Sequence, residues 1–338
     1  MKIAIVTINQ PSLNSAMELN NYLTDDYEVD IYGKKDLTHN LDNLHIYKKL
    51  DDILVPAWSA YDAIICILAM GAVVRKIAPL LEDKSTDPAV LVINLALDKI
   101  VPLLSGHLGG ANELADSITS KLPNCINFIS TATDQTNTLA FEMEAKKNGW
   151  DIANLKALAN ISNRLLNKLP VKVATYKTIF DKLSKKENLT LIDFENIDEN
   201  SVVIAPHIES KNLTLKPKIF LGIGCNRDTT CDEIESAFKR FLDSYNLKVE
   251  QIKNIASFEA KSDEVGLLEF ASKYNFDIKF YEKESINGLE NEFTPSASTK
   301  FFGLKGVAEP SAILLSTYKE LIIKKEVYDK KITIAGAI

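Results

Sequence analysis

The sequence predicts an α/β protein: an N-terminal three-layer α/β domain on a mostly parallel sheet, a small middle region, and a second α/β domain at the C-terminus. Three observations carry this. Short β-branched runs such as KIAIVTI, AIICILAM and AVLVINL alternate with amphipathic stretches near the start of the chain. These runs are almost continuously apolar, as strands covered on both faces must be. A second strand–helix alternation begins at IFLGIG, after a stretch that breaks the first pattern.

Taken in order, MKIAIVTIN opens on a strand; it is too short for a signal peptide and has no small-residue cleavage site. YEVDIYG, AIICILAM, AVLVINL and CINFIST follow as strands, with helices over SLNSAMELNNYLTDD and from Asn112 to Leu122. These make up the first domain, residues 1–140. Parallel strands of this kind place ligands at their carboxyl ends. From Asn137 to Leu169 the apolar spacing becomes helical, with Gly149 dividing two helices. VKVATY and SVVIAPH read as strands, so 141–214 is a helical and β region, ending in a linker over NLTLKPK, residues 212–218. Residues 215–338 then give strand, helix, strand, helix and strand from IFLGIG to DIKFYEK. A terminal hairpin turns near Asp329.

Composition sets limits on function. The 338 residues are 46% hydrophobic and 25% charged, ordinary for a globular chain. A net charge of −7 argues against nucleic acid as a partner. No run approaches the ~20 apolar residues that span a bilayer, so no membrane partner is expected and a cytoplasmic location is. Four cysteines make no disulfide framework in a chain this long. Cys66 reads as core, Cys125 lies near a strand start, and Cys225 and Cys231 lack C-x-x-C spacing, so no metal site is expected.

Three stretches carry chemistry. LLSGHLGGANELADS, residues 103–117, gathers Ser105, Gly106, His107, Gly109, Gly110, Asn112 and Glu113 where a strand ends and a helix begins. Ser105 or Asn112 is placed to cap that helix. Glycines before a helix N-terminus make an anion site, and an imidazole there can activate water. The bland reading is a tight turn with a histidine packed over it. GIGCNRDTTCDEI, residues 222–234, repeats the arrangement with Gly222, Gly224 and Arg227, and Thr230 with Glu233 has capping-box spacing. The third glycine of a dinucleotide fingerprint is missing. FFGLKGVAEPSAILLS, residues 301–316, sets Lys305, Gly306, Glu309 and Ser311 before an apolar helix. The chain has four arginines, and Arg75 and Arg227 lie at strand–helix junctions, where bidentate carboxylate recognition competes with a surface ion pair.

AMGAVVRKIAPLLEDKSTDPAVLVI and SGHLGGAN, followed by LGIGCNRDTTCDEIESAF and FFGLKGVAEPSAIL, resemble the CbiG family, the cobalt-precorrin-5A hydrolases of anaerobic cobalamin biosynthesis. The C-terminal part is also similar to stand-alone CobE-type proteins. Where the family has an acidic, glycine-containing turn after DPAVVV, this chain reads INLALDKI. The resemblance implies opening of a ring A δ-lactone and release of acetaldehyde. It implies no cofactor, because the cobalt arrives with the tetrapyrrole substrate. That reaction suits His107 as general base, Gly109 and Gly110 N–H groups as oxyanion donors, and Glu113 as an orienting or proton-returning group. Arg75, Ser105, Gly106, Asn112, Gly222, Gly224, Arg227, Lys305, Gly306 and Glu309 are the expected substrate contacts. A homodimer and transient contacts with other enzymes of the pathway stay open as partners. The competing reading is a non-catalytic corrinoid-binding or scaffold protein.

Overall fold

The computed structural model describes residues 1–35, 37, 44–83, 86–130, 138–295 and 303–338, in two compact units, 1–136 and 137–338.

In the first unit the strands are β1 (Lys2–Thr7), β2 (Glu28–Lys34), β3 (Leu44–Tyr47), β4 (Ala63–Ile67), β5 (Ala89–Ile93), β6 (Lys99–Leu104) and β7 (Ile126–Asn127). The helices are α1 (Gln10–Leu23), α2 (Asp51–Ala60), α3 (Met70–Ile77) and α4 (Ala111–Lys121). The sheet order is β3-β2-β1-β4-β5-β6-β7. Strands β3 to β5 are mutually parallel, so the order reverses between β1 and β4 in the doubly wound manner. Alternate side chains face opposite layers. Ile3, Ile5, Ile65 and Leu91 pack with Leu13 and Leu19 of α1 and Leu114 and Ile118 of α4. Val6, Ile64, Val90 and Val92 pack with Ile53 and Leu54 of α2 and Val73 of α3. Two separate cores, one on each face, are what continuous apolar strands require.

One pairing departs from the expected alternation. β6 runs antiparallel to β5, with Leu104 opposite Val90. The chain leaving β6 therefore emerges at the amino edge of the parallel strands, away from their carboxyl ends. A short crossover-free turn from β5 into β6 produces this, because a hairpin can only join antiparallel strands.

The second unit holds α5 (Phe141–Asn148), β8 (Asp151–Ala153), α6 (Leu158–Leu166), β9 (Val171–Thr175), α7 (Lys177–Phe180), β10 (Leu189–Ile192), β11 (Ser201–Ile204) and β12 (Thr214–Lys216). It continues with β13 (Ile219–Cys225), α8 (Cys231–Ser244), β14 (Ile252–Phe258), α9 (Val265–Lys273), β15 (Ile278–Tyr281), α10 (Lys283–Asn287), α11 (Ala308–Leu315), β16 (Leu321–Tyr328) and β17 (Ile332–Ala337). Two five-stranded sheets result, β10-β9-β11-β12-β8 and β15-β14-β13-β17-β16. Residues of the 141–214 region, such as Trp150, Leu165 and Val202, share one core cluster with Leu221, Phe238, Phe270 and Ile334. Each such aromatic contributes ~1.5–3 kcal/mol on burial.

Local chemistry explains several elements. Gly149 ends α5 in the left-handed conformation at φ 65°, as the sequence predicts, although strand β8 intervenes before the next helix. Thr230 and Glu233 form the expected capping box at α8. The final hairpin pairs β16 with β17 around Asp329. The segment read as a linker is a strand instead: β12 pairs with β11 and β8, and Leu213, Thr214 and Leu215 are buried. Its flanking Asn, Lys and Pro masked a short alternation that tertiary pairing uses.

Candidate active site

The His107 loop follows β6 and ends at Gly110, the N-cap of α4. Gly110 sits at φ 84°, ψ 15°, a left-handed conformation that glycine adopts freely, and no side chain caps the helix. Neither Ser105 nor Asn112 is the cap. Backbone carbonyls take that role: the N–H groups of Gly110, Ala111 and Asn112 donate to His107, Ser105 and Gly106 carbonyls at 3.0, 3.1 and 3.0 Å. The loop thus wraps back onto the first turn of α4 and consumes the donors expected to face an anion.

The consequence for chemistry is specific. Gly110 N–H is spent on His107 and is no oxyanion donor, which corrects the sequence expectation. Gly109 N–H has no partner among the described residues. Gly109 is held glycine by contact, since a Cβ there would lie 2.4 Å from Ser105 Cβ. Gly106 abuts the buried Asn112 side chain, whose Oδ1 would be 2.8 Å from an added Cβ. His107 is partly exposed, and Glu113 is exposed in the first turn of α4, where a carboxylate favours the helix dipole.

Ser105 has φ 55°, a conformation that costs a non-glycine residue ~1–2 kcal/mol. Its hydroxyl donates to the Asp87 carbonyl at 2.9 Å. Asp87 is 7% exposed, and its carboxylate accepts from Glu82 N–H at 3.1 Å and from the Trp58 indole at 3.4 Å. Sequence reasoning missed Asp87 and Trp58. The signals were the place of Asp87 in the DPAV stretch and one of the chain's two tryptophans just before AIICILAM.

Of the expected contacts outside this loop, Arg75 lies in the first unit and the others in the second. Arg75 lies on α3 and donates to Gly71 O at 2.8 Å, at the carboxyl edge of the sheet. α3 follows the carboxyl end of β4, whereas the His107 loop leaves β6 beside the amino end of β5. Gly222 and Gly224 are buried inside β13 and form no turn. A Cβ at Gly222 would come 1.8 Å from the Ala308 carbonyl, and one at Gly224 2.6 Å from Thr333 Oγ1. These glycines admit α11 and β17 to the strand. Arg227 pairs with Asp263, meets Glu264 at 3.1 Å and donates to Ala260 O at 2.7 Å. The α8 N-terminus carries its own Glu233, whose Oε2 accepts from Thr230 N–H at 3.0 Å. That carboxylate, with the Thr230 hydroxyl accepting from Glu233 N–H, forms the helix's own capping box.

In the third turn Glu309 and Lys305 have internal partners, whereas the Ser311 hydroxyl is buried without one among the described residues. Glu309 is 2% exposed and accepts from Thr294 N–H at 2.7 Å, Thr294 Oγ1 at 2.8 Å and Lys325 N–H at 3.0 Å. Lys305 donates its ammonium to Leu289 O and its backbone N–H to Asn287 Oδ1, and Gly306 lies just before α11. Phe301 and Phe302 of this motif lie outside the described residues. Among the described residues no group of three His, Cys, Asp or Glu side chains is placed to hold a metal ion. Burial pushes the Cys225 thiol up to about 11 and the Cys231 thiol upward too, so both stay protonated near neutrality. No described helix is long and apolar enough to cross a membrane.

Comparison with known proteins matches residues 52–134 to the cobalamin synthesis G N-terminal family and residues 219–337 to the cobalamin synthesis G C-terminus family. The chain is 29% identical to the cobalt-precorrin-5A hydrolase of Priestia megaterium, over 98% of this chain and 94% of that protein. It is 30% identical to the cobalt-precorrin-5A hydrolase of Salmonella typhimurium, over 77% of this chain and 78% of that protein. It is 23% identical to the protein CobE of a Sinorhizobium species, over 35% of this chain and 79% of that protein. The chain belongs to the CbiG family of cobalamin synthesis proteins.

Proposed function

We propose that this protein is a cobalt-precorrin-5A hydrolase, which opens the ring A δ-lactone of its substrate and releases acetaldehyde to leave cobalt-precorrin-5B. The supporting observation is similarity along 98% of the chain to a protein named for that activity. The macrocycle brings its own cobalt, so the proposal asks the chain for acid–base and oxyanion chemistry alone. A cytoplasmic setting is part of it.

The His107 loop supplies both functions in this reading. The His107 imidazole takes a proton from water as that water attacks the lactone carbonyl. Gly109 N–H holds the developing oxyanion, a type of donor worth ~3–4 kcal/mol. Collapse breaks the lactone C–O bond as the imidazolium returns its proton to the leaving oxygen, giving a hydroxyl and a carboxylic acid that ionises to solvent, with the imidazole neutral again. Imidazole then takes the hydroxyl proton, and the oxygen electrons form the acetaldehyde carbonyl. The broken C–C pair stays on the macrocycle and is protonated there. Glu113 orients the imidazole or returns that proton.

Anaerobic incubation with cobalt-precorrin-5A, following acetaldehyde, tests the proposal beside His107→Ala. Release by the wild type that collapses in a folded variant supports both the activity and the base. Release by both keeps the hydrolase and removes His107 as base. Binding of the macrocycle without release by either makes the loop a cradle and the protein a scaffold.

A further inference from the structure

We infer that Ser105 is a positioning residue for His107, acting through Asp87, and is not a nucleophile; this rests on the reading of His107 as the base. Serine gains nothing by itself from φ 55°, so its surroundings hold it there. Its hydroxyl has one hydrogen, and that hydrogen is committed to the Asp87 carbonyl 2.9 Å away. A nucleophilic serine needs the same hydrogen directed at a base.

Asp87 is a fixed point. It sits two residues before β5, nearly buried, and both carboxylate oxygens accept from Glu82 N–H, at 3.1 and 3.3 Å. The indole of Trp58, on α2, reaches the same carboxylate. Separate stretches of chain therefore set where the Asp87 backbone lies, and Ser105 reads that position through one bond. With Ser105 pinned, the carbonyls of Ser105, Gly106 and His107 turn back to cap Ala111, Asn112 and Gly110. His107 lies two residues along this clamped backbone, with its own carbonyl tied to Gly110. Its imidazole thus has a defined origin on a segment otherwise rich in glycine.

The test compares wild type, Ser105→Ala, Ser105→Gly, His107→Ala and the Ser105→Ala/His107→Ala double variant. Acetaldehyde release gives kcat and KM, and the imidazole NMR resonances give the state of His107, assigned by its loss in His107→Ala. Misplacing the base predicts a fall in kcat of about 10²-fold in Ser105→Ala, with KM nearly unchanged. The double variant should be no slower than His107→Ala, and the His107 resonance should shift or broaden in Ser105→Ala. Ser105→Gly should lose as much, although glycine takes the left-handed backbone freely; it also serves if the alanine variant does not fold. An unchanged kcat with only a lower melting temperature overturns the inference. So does a double variant slowed further by the full Ser105→Ala factor. If the wild type releases no acetaldehyde, the proposed function fails, and the resonance alone decides: unshifted in Ser105→Ala overturns positioning, shifted upholds it.

Discussion

SGHLGGAN and GIGCNRDTTC look alike on paper, each a strand, glycines, and a helix start with a chemically active residue beside it. The folded chain treats them in opposite ways. In the first, glycines lie in the loop, Gly110 supplies a left-handed cap, and the partly exposed His107 is carried on a clamped backbone. In the second, the glycines lie inside β13 to admit neighbouring elements, and the turn after them is filled by Glu233, Asp263 and Glu264. A glycine before a helix thus encodes either a backbone conformation or a close approach. What stands opposite its missing Cβ decides which.

Four substitutions and one titration sharpen this contrast. The largest effect is expected from His107→Ala, which should cost about 10²- to 10⁴-fold in acetaldehyde release, the usual worth of a general base, at an unchanged melting temperature. Gly222→Ala should act on the fold instead. With the Ala308 carbonyl 1.8 Å from the new methyl, α11 must move, at about 3 kcal/mol by chemical denaturation. Gly110→Ala should cost less, about 1–2 kcal/mol, the penalty of the left-handed conformation. Arg227→Gln should leave KM for the macrocycle unchanged, since its guanidinium serves Asp263 and Glu264; a raised KM would make it a substrate contact after all.

The smallest effect lies outside both turns. Burial holds His207 below its usual pKa, and its Nδ1 is enclosed without a partner. The folded state therefore favours the neutral ring, and the unfolded chain binds more protons. Stability from this group is complete above the unfolded value of ~6.5 and is lost as pH falls below it. Melting curves should show a smaller loss from neutral to mildly acidic pH in His207→Gln than in the wild type.

Local rules made much of this legible in the sequence. The β-branched runs became strands because their burial needs no distant information, and Thr230 meets Glu233 three residues away. Gly149 ended a helix for an equally local reason. The His107 loop was legible as a loop, but its edge of the sheet was not. That depends on β6 running against β5, which apolar periodicity cannot distinguish from a parallel neighbour. Arg227 looked like a free cation because its partner Asp263 lies 36 residues on. Glu309 looked like a contact for the substrate because its partners, Thr294 and Lys325, come from flanking segments that converge only on folding.

The chain has two tryptophans, Trp58 in the first unit and Trp150 in the second. Trp58 donates its indole N–H to Asp87, the residue whose carbonyl receives Ser105. Indole emission responds to such a bond and to nearby charge, so this side chain is a built-in optical gauge of how the His107 loop is seated. In a Trp150→Phe background its spectrum would follow the loop during turnover, with no label attached.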